Sequence, residues 1–207
     1  MSGRPMNAGD HRVLLAEPDS DVGGVVLDAA LAAFVDVGIR RTTMNDIARR
    51  AGLGRATIYR RYPDKDAVVE AVLLREMRRF VRWLDERVDH ITDPAEQVVE
   101  CYVAVVGGLR RHSLLNRLMA VEPDDWLPAL TADWGGVLAV ARGYLAEKLR
   151  GHQSAGRLRG FDPEPVAEVF VRLAHSMMLT PTGCIPESDD GRTRAFARAH
   201  LVPVVTS

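Results

Sequence analysis

From Asp21 onward, the apolar positions Val22, Val25, Val26, Ala29, Ala30, Ala33, Phe34 and Val37 recur at spacings of three and four, which predicts one helix with a single buried stripe. Gly38 follows where a C-cap glycine belongs. Gly23-Gly24 weakens the start of this helix and predicts a late or frayed first turn. A second helix opens at Thr43, a good N-cap, with Asp46 three residues later as its capping-box partner at the positive helix end. It turns Met44, Ile47 and Ala48 inward and ends near Ala51-Gly52. Gly52-Leu53-Gly54 reads as a tight turn with one apolar anchor, and Arg55 to Tyr62 as a third helix. At about 100° per residue, Ile58 and Tyr62 share one face of it. Ala56, Thr57 and Arg60 fall opposite, with Arg55, Tyr59 and Arg61 on the flanks. Tyr62 precedes a proline and so avoids helical dihedrals, which stops the helix there. Asp64 then caps a long helix from Lys65 to about Val88.

Beyond residue 90 the pattern stays helical. Asp93-Pro94-Ala95-Glu96 places an N-cap aspartate, a proline at the first helical position and a capping glutamate ahead of an apolar helix that reaches about Arg111. A short helix from His112 to Ala120 and a broken connection from Val121 to Asp133, containing Pro123 and Pro128, come next. A helix from about Trp134 to Arg150 leads into a polar loop from Gly151 to Gly160. Asp162-Pro163-Glu164 opens a helix to about Thr180; residues 181–190 read as a loop, and a final helix covers about Gly191 to Leu201. The expected fold class is therefore all-α. It comprises a flexible arm (1–20), a small N-terminal helical domain (21–66) and a larger helical domain (67–207).

Charge changes the reading of the third helix. The 207-residue chain has a formal net charge of −1, yet Arg40, Arg41, Arg49, Arg50, Arg55, Arg60, Arg61 and Lys65 face only Asp46 and Asp64 between residues 40 and 65. The local excess of +6 leaves −7 for the remainder. Such a patch attracts a polyanion at one place and repels it elsewhere, although a run of charge is also what a solvated helix face looks like. The local architecture separates the two. Two short helices joined by a glycine turn, the second exposing its polar face, form a helix-turn-helix whose second helix enters the major groove of double-stranded DNA. Ala56 leaves room for close approach, and Thr57 offers a hydroxyl and a methyl to base edges. Arg55, Arg60 and Arg61 reach guanine edges or phosphates, and Tyr59 offers its hydroxyl to a phosphate or its ring to a thymine methyl. Thr43 and Lys65 stand at helix starts, where backbone N–H groups also attract phosphate.

The run TTMNDIARRAGLGRATIYRRYPDKDAVVEAVL resembles the DNA-binding signature of the TetR-type bacterial transcriptional regulators, over roughly residues 22–75. Thr43, Ile47-Ala48, Ala51-Gly52-Leu53, Thr57-Ile58-Tyr59, Tyr62-Pro63 and Asp64-Lys65 carry the resemblance. It implies DNA-facing roles for Thr43, Arg55, Ala56, Thr57, Tyr59, Arg60, Arg61 and Lys65. Gly54 departs from the serine that family members often have there, and Arg60-Arg61 from a common aromatic or histidine. The resemblance further implies a homodimer that binds a palindromic operator and pairs through its last two helices, most often as a repressor released by a small-molecule effector. Val166, Phe170, Leu173 and Met177 form one stripe on the penultimate helix, which serves either that pairing or the chain's own core. Tyr102, Leu115, Met119, Trp126, Trp134, Leu138, Phe170 and Met177 are candidates to line an effector cavity, although each is also an ordinary core residue type. Gly107-Gly108 inside an apolar helix permits a close helix crossing or leaves room for a ligand. With no charged cluster dominating that set, the expected effector is apolar or amphipathic.

Other function classes find little support. The six histidines are scattered, and neither HExxH, GxSxG, a P-loop nor a dinucleotide fingerprint occurs, so neither an enzyme nor a metal or cofactor site is expected. Cys101 and Cys184 form no CxxC pair and read as reduced thiols. No apolar run reaches membrane-spanning length and the N-terminus has no long apolar h-region, which favours a cytoplasmic protein with no membrane partner. The alternative reading is a scaffold retained for binding small molecules or proteins without regulating DNA.

Overall fold

The computed structural model describes residues 21–121, 124, 131, 135–180, 183–185 and 189–206. All regular elements among them are helical: α1 (Asp21–Val37), α2 (Met44–Ala51), α3 (Arg55–Arg61), α4 (Lys65–Val88), α5 (Pro94–Arg111), α6 (Ser113–Val121), α7 (Gly135–Ser154), α8 (Pro163–Leu179), α9 (Asp190–Phe196), a π-helical turn (Ala197–Leu201) and α10 (Val202–Thr206). The expected arm, Trp126 and Trp134 lie outside the described residues.

Local signals set most of the boundaries. Gly38 closes α1 with φ 89°, and its N–H donates to the Phe34 carbonyl. Gly52 closes α2 in the left-handed region, its N–H shared between the Ala48 and Arg49 carbonyls. The Asp64 carboxylate accepts from the Ala67 N–H at 2.8 Å, Asp93 from the Glu96 N–H at 2.9 Å and Asp162 from the Glu164 N–H at 3.1 Å.

Three expectations are corrected. The first helix runs from Asp21 straight through Gly23 and Gly24. Its first turns are secured from α4, where the Arg75 side chain is only 1% exposed, donates to the Gly24 carbonyl at 3.1 Å and pairs with Asp28 at 3.0 Å. Helix α7 continues to Ser154, beyond the expected end at Arg150. Near that end Gln153 donates to the Arg159 and Phe161 carbonyls and so ties down the connection between α7 and α8. Finally, the chain does not stop at Leu201. It widens into a π-helical turn, in which the Val202 N–H reaches back to Ala197, and then forms α10 across Pro203. A widened turn relieves the clash that a proline ring has with the carbonyl four residues before it.

The chain divides into two compact units that do not follow chain order. One holds the described residues up to Phe80 together with those of 112–132; the other holds 81–111 and the described residues from 135 onward. In the first, Phe34, Ile47, Ile58, Val68 and Val72 form the core, and Leu114 and Leu118 of α6 join it at 1% exposure each. In the second, Val99, Tyr102 and Val106 of α5 pack with Leu149 of α7, Phe170 and Met177 of α8, and Ala197, Leu201 and Val205 at the C-terminus.

Candidate nucleic-acid interface

Helix α3 is only seven residues long, too short to persist alone, and depends on burying one side against its neighbours. Ile58 supplies that contact at 1% exposure, and Tyr62, just past the helix end, adds to it at 9%. The opposite surface stays in solvent. Arg55, Ala56, Arg60 and Arg61 are exposed, Thr57 is half-buried, and Tyr59 keeps 43% of its surface open. An aromatic ring held in water on a helix anchored by a single isoleucine costs hydrophobic free energy that folding does not recover. The structure thus brings Arg55, Ala56, Tyr59, Arg60 and Arg61 onto one accessible surface, with Thr57 beside them.

Neighbouring carboxylates do not neutralise that surface. Asp46 takes Arg49 at 2.8 Å and Asp36 takes Arg50 at 2.7 Å. Among the described residues Arg55 and Arg60 have no ion pair, while Arg61 lies over the Tyr62 ring at 5.9 Å from its centroid. Gly54 caps α3 with its backbone alone: the Thr57 N–H reaches the Gly54 carbonyl at 3.0 Å, with no side-chain cap.

Thr43 and Lys65 are engaged within the fold. The Thr43 hydroxyl donates to the Asp46 carboxylate at 2.6 Å and accepts from the Asp46 N–H at 3.2 Å, while the Thr43 N–H donates to the same carboxylate at 3.1 Å. These bonds, the Thr43 contacts foremost and Arg49 after them, hold the Asp46 carboxyl below the usual carboxylate range. The Lys65 ammonium donates to the carbonyls of Ile39 at 3.1 Å and Arg40 at 3.4 Å. Both residues therefore brace the connection between α1 and α2. Asp36 and Arg117 were not among the residues singled out from sequence. Arg117 of α6 donates to the Asp36 carbonyl at 2.7 Å while the Asp36 carboxylate holds Arg50 of α2. Nothing in the spacing of these residues announces it.

The candidate effector residues divide. Tyr102, Phe170 and Met177 come together in the core of the second unit. Leu115 and Met119 are half-buried on α6, within the first unit, and Leu138 is half-buried on α7. Gly107 faces the guanidinium of Arg111, one turn along its own helix, at 3.0 Å from where a Cβ would stand. The stripe of Val166, Phe170, Leu173 and Met177 is taken up by intramolecular packing, leaving Val169 of α8 and Val204 of α10 exposed at 56% and 42%. A polar cluster escaped the sequence reading: the Tyr144 hydroxyl donates to Asp85 at 2.6 Å, and Lys148 bridges Asp85 and Asp89. Burial first, and the bond to Asp85 next, push the Tyr144 hydroxyl far above its usual range.

The model of the bacterial regulatory proteins of the tetR family matches residues 26–72, the span from the middle of α1 into α4. An uncharacterised HTH-type transcriptional regulator of Mycobacterium tuberculosis H37Rv is 32% identical over 157 residues, covering 76% of this chain and 80% of its own length. The chain belongs to the TetR family. It is accordingly a DNA-binding transcriptional regulator with a helix-turn-helix, and not an enzyme. The repressor KstR2 of Mycobacterium tuberculosis H37Rv shares 31% identity with this TetR-family chain over 93 residues, 43% of this chain and 44% of the repressor. The crystal structure of the TetR-family repressor AlkX from a Dietzia strain superposes with a TM-score of 0.64 at 20% identity, covering 89% of this chain and 95% of AlkX. Members of the family bind DNA and typically act as dimers with small-molecule effectors. Among the described residues no group of histidine, cysteine, aspartate or glutamate is arranged to hold a metal ion, and no helix is long and apolar enough to cross a membrane.

Proposed function

We propose that this TetR-family regulator is a cytoplasmic, homodimeric repressor that reads a palindromic operator through α3 and is released by a small apolar or amphipathic effector. The observation that carries the reading is the split of α3, which buries Ile58 and leaves Arg55, Ala56, Tyr59, Arg60 and Arg61 in solvent. Arg55, Thr57, Tyr59, Arg60 and Arg61 make the DNA contacts, Ala56 permits close approach, and Thr43 and Lys65 brace the elements beside them. Repression is supported by the resemblance to KstR2 and AlkX, both named as repressors.

The dimer forms through the outward faces of the last helices, where Val169 and Val204 are exposed, and not through the stripe of Phe170 and Met177, which packs into the chain's own core. Two recognition helices related by a two-fold axis meet successive major grooves only at one spacing. An effector that binds better to a differently spaced conformer lowers operator affinity by that difference and no more. Tyr102, Phe170 and Met177, together in the core of the second unit, supply an apolar environment for such a ligand, with Leu138 on α7 of the same unit as a further candidate.

Fluorescence anisotropy tests the reading. The purified protein is titrated into duplex DNA from upstream of its own gene and into a scrambled duplex, at several salt concentrations. Tighter binding to the upstream duplex, falling steeply with salt, is expected. Equal binding to both duplexes, repeated in a genome-wide binding selection, would favour the scaffold without DNA regulation.

A further inference from the structure

We propose that the connection between α1 and α2 is a second DNA-binding element, in which Arg40 and Arg41 grip backbone phosphates beside the recognition helix. The inference rests on the helix-turn-helix reading above and adds a contact made outside α3.

The connection is unusually well fixed for six residues of loop. Gly38 enters it at φ 89°, a conformation that side chains rarely adopt. The Thr42 side chain is buried at 1% exposure, and its hydroxyl donates to the Gly38 carbonyl at 2.7 Å. The Thr42 N–H donates to the Ile39 carbonyl at 3.2 Å. From α4, the Lys65 ammonium takes the Ile39 and Arg40 carbonyls. At the far end the Thr43–Asp46 capping box fixes the entry to α2. Between these anchors Arg40 and Arg41 are both exposed, and Arg41 has no ion pair among the described residues.

Three features point to phosphate as the occupant. The lysine that holds the loop is the first residue of α4, three residues past Tyr62 at the end of α3, so the loop lies beside the recognition helix. Cation donors on a preformed backbone lose little entropy on binding, which suits a ligand that repeats along a duplex. The loop contributes two of the eight cations that give residues 40–65 their excess of +6 in a chain of net charge −1, and that sign matches DNA. Lys65 acts here as a positioning residue: its ammonium is turned to the loop carbonyls, and its loss releases the loop that carries the arginines.

The test compares wild type with Arg40→Gln/Arg41→Gln, Lys65→Gln and the triple variant by anisotropy, on an upstream duplex and on a scrambled duplex, across a salt series. Thermal melting establishes that each variant is folded; the arginine positions are exposed and should melt as wild type. The double arginine variant is expected to weaken both duplexes by the same factor, and its slope of log K against log salt to fall by about 0.9 per lost phosphate contact, hence by about 3.6 for the four arginines of a bound homodimer. Lys65→Gln is expected to weaken binding in the wild-type background and to add nothing in the double variant. An unchanged slope in the double variant overturns the phosphate role, and a loss confined to the upstream duplex replaces it with base recognition. A full additional loss on Lys65→Gln in the double variant overturns the positioning role. Wild-type protein that binds neither duplex removes the helix-turn-helix reading itself.

Discussion

The Tyr102 hydroxyl meets the Met177 sulfur at 2.9 Å, joining α5 to α8 across 75 residues of sequence. Both side chains are nearly closed to solvent, at 7% and 9% exposure, and the Tyr102 ring also packs on Phe196 at 5.9 Å between centroids. Residues of a type that lines ligand cavities therefore serve as packing for three helices of the second unit.

That packing has a measurable consequence. Met177→Ala should destabilise the protein by about 2–5 kcal/mol, the range for emptying a buried methionine site. Tyr102→Phe removes the hydroxyl contact to the Met177 sulfur and should cost about 1 kcal/mol. Urea unfolding of the two variants checks the order. Equal, negligible losses would mean that this core is loosely filled.

Helix α3 makes a contrasting prediction about neighbours in sequence. Tyr59→Ala and Arg55→Ala should leave the melting temperature near that of wild type, because both side chains are exposed, and each should weaken operator binding by about 1–3 kcal/mol. Ile58→Ala should do the reverse first, lowering stability by about 2–5 kcal/mol before binding is considered. Normal operator binding by either surface variant would remove α3 from the interface.

Stability should fall on mild acidification. The His152 ring is buried, its Nδ1 accepts from Arg157 Nε at 3.1 Å, and its Nε2 lies 2.7 Å from the Gln97 amide oxygen. An imidazole whose Nδ1 accepts must donate from Nε2, so both ring nitrogens are committed in the neutral form. Burial first, then the Arg157 charge, depresses its pKa, and burial depresses that of His112 as well. A depressed histidine pKa means that the unfolded chain takes the proton first. The stabilisation is complete above the ordinary imidazole value of about 6.5 and is lost as pH drops below it. Denaturation midpoints between about pH 8 and pH 5 should show the decline, and His112→Gln/His152→Gln should flatten it.

The two thiols should differ in reactivity. Burial pushes the Cys101 thiol up to about 12, whereas Cys184 is exposed. Only the thiolate attacks a disulfide reagent. At pH 8 a chromogenic disulfide should therefore titrate one thiol quickly in the folded protein and two after denaturation. Two fast equivalents in the folded state would contradict the raised pKa of the half-buried Cys101 thiol.

Much of the first unit could be read from neighbours in sequence. The Thr43–Asp46 box, the αL glycines at 38 and 52, Asp64 ahead of α4 and Pro63 after α3 each act within about four residues, and each places a helix end where the structure has it. The same locality gave the buried and exposed faces of α3, since a helix of known register turns its residues by a fixed angle. The start of α1 is misread because it depends on a distant partner. The glycine pair in α1 is helical because Arg75, 51 residues away, binds Gly24.

The sequence by itself determined an all-helical chain, the helix-turn-helix and the basic character of its exposed surface, because helix capping, periodicity and charge are short-range properties of the chain. Only the tertiary structure decided that α6 belongs with the DNA-binding core through Leu114 and Leu118, that the α8 stripe is spent inside the chain, and that Lys65 holds the backbone at Ile39 and Arg40. Each of these depends on which faces of separate helices meet. Periodicity says that a face is apolar; the surface that covers it is settled only by packing the helices together.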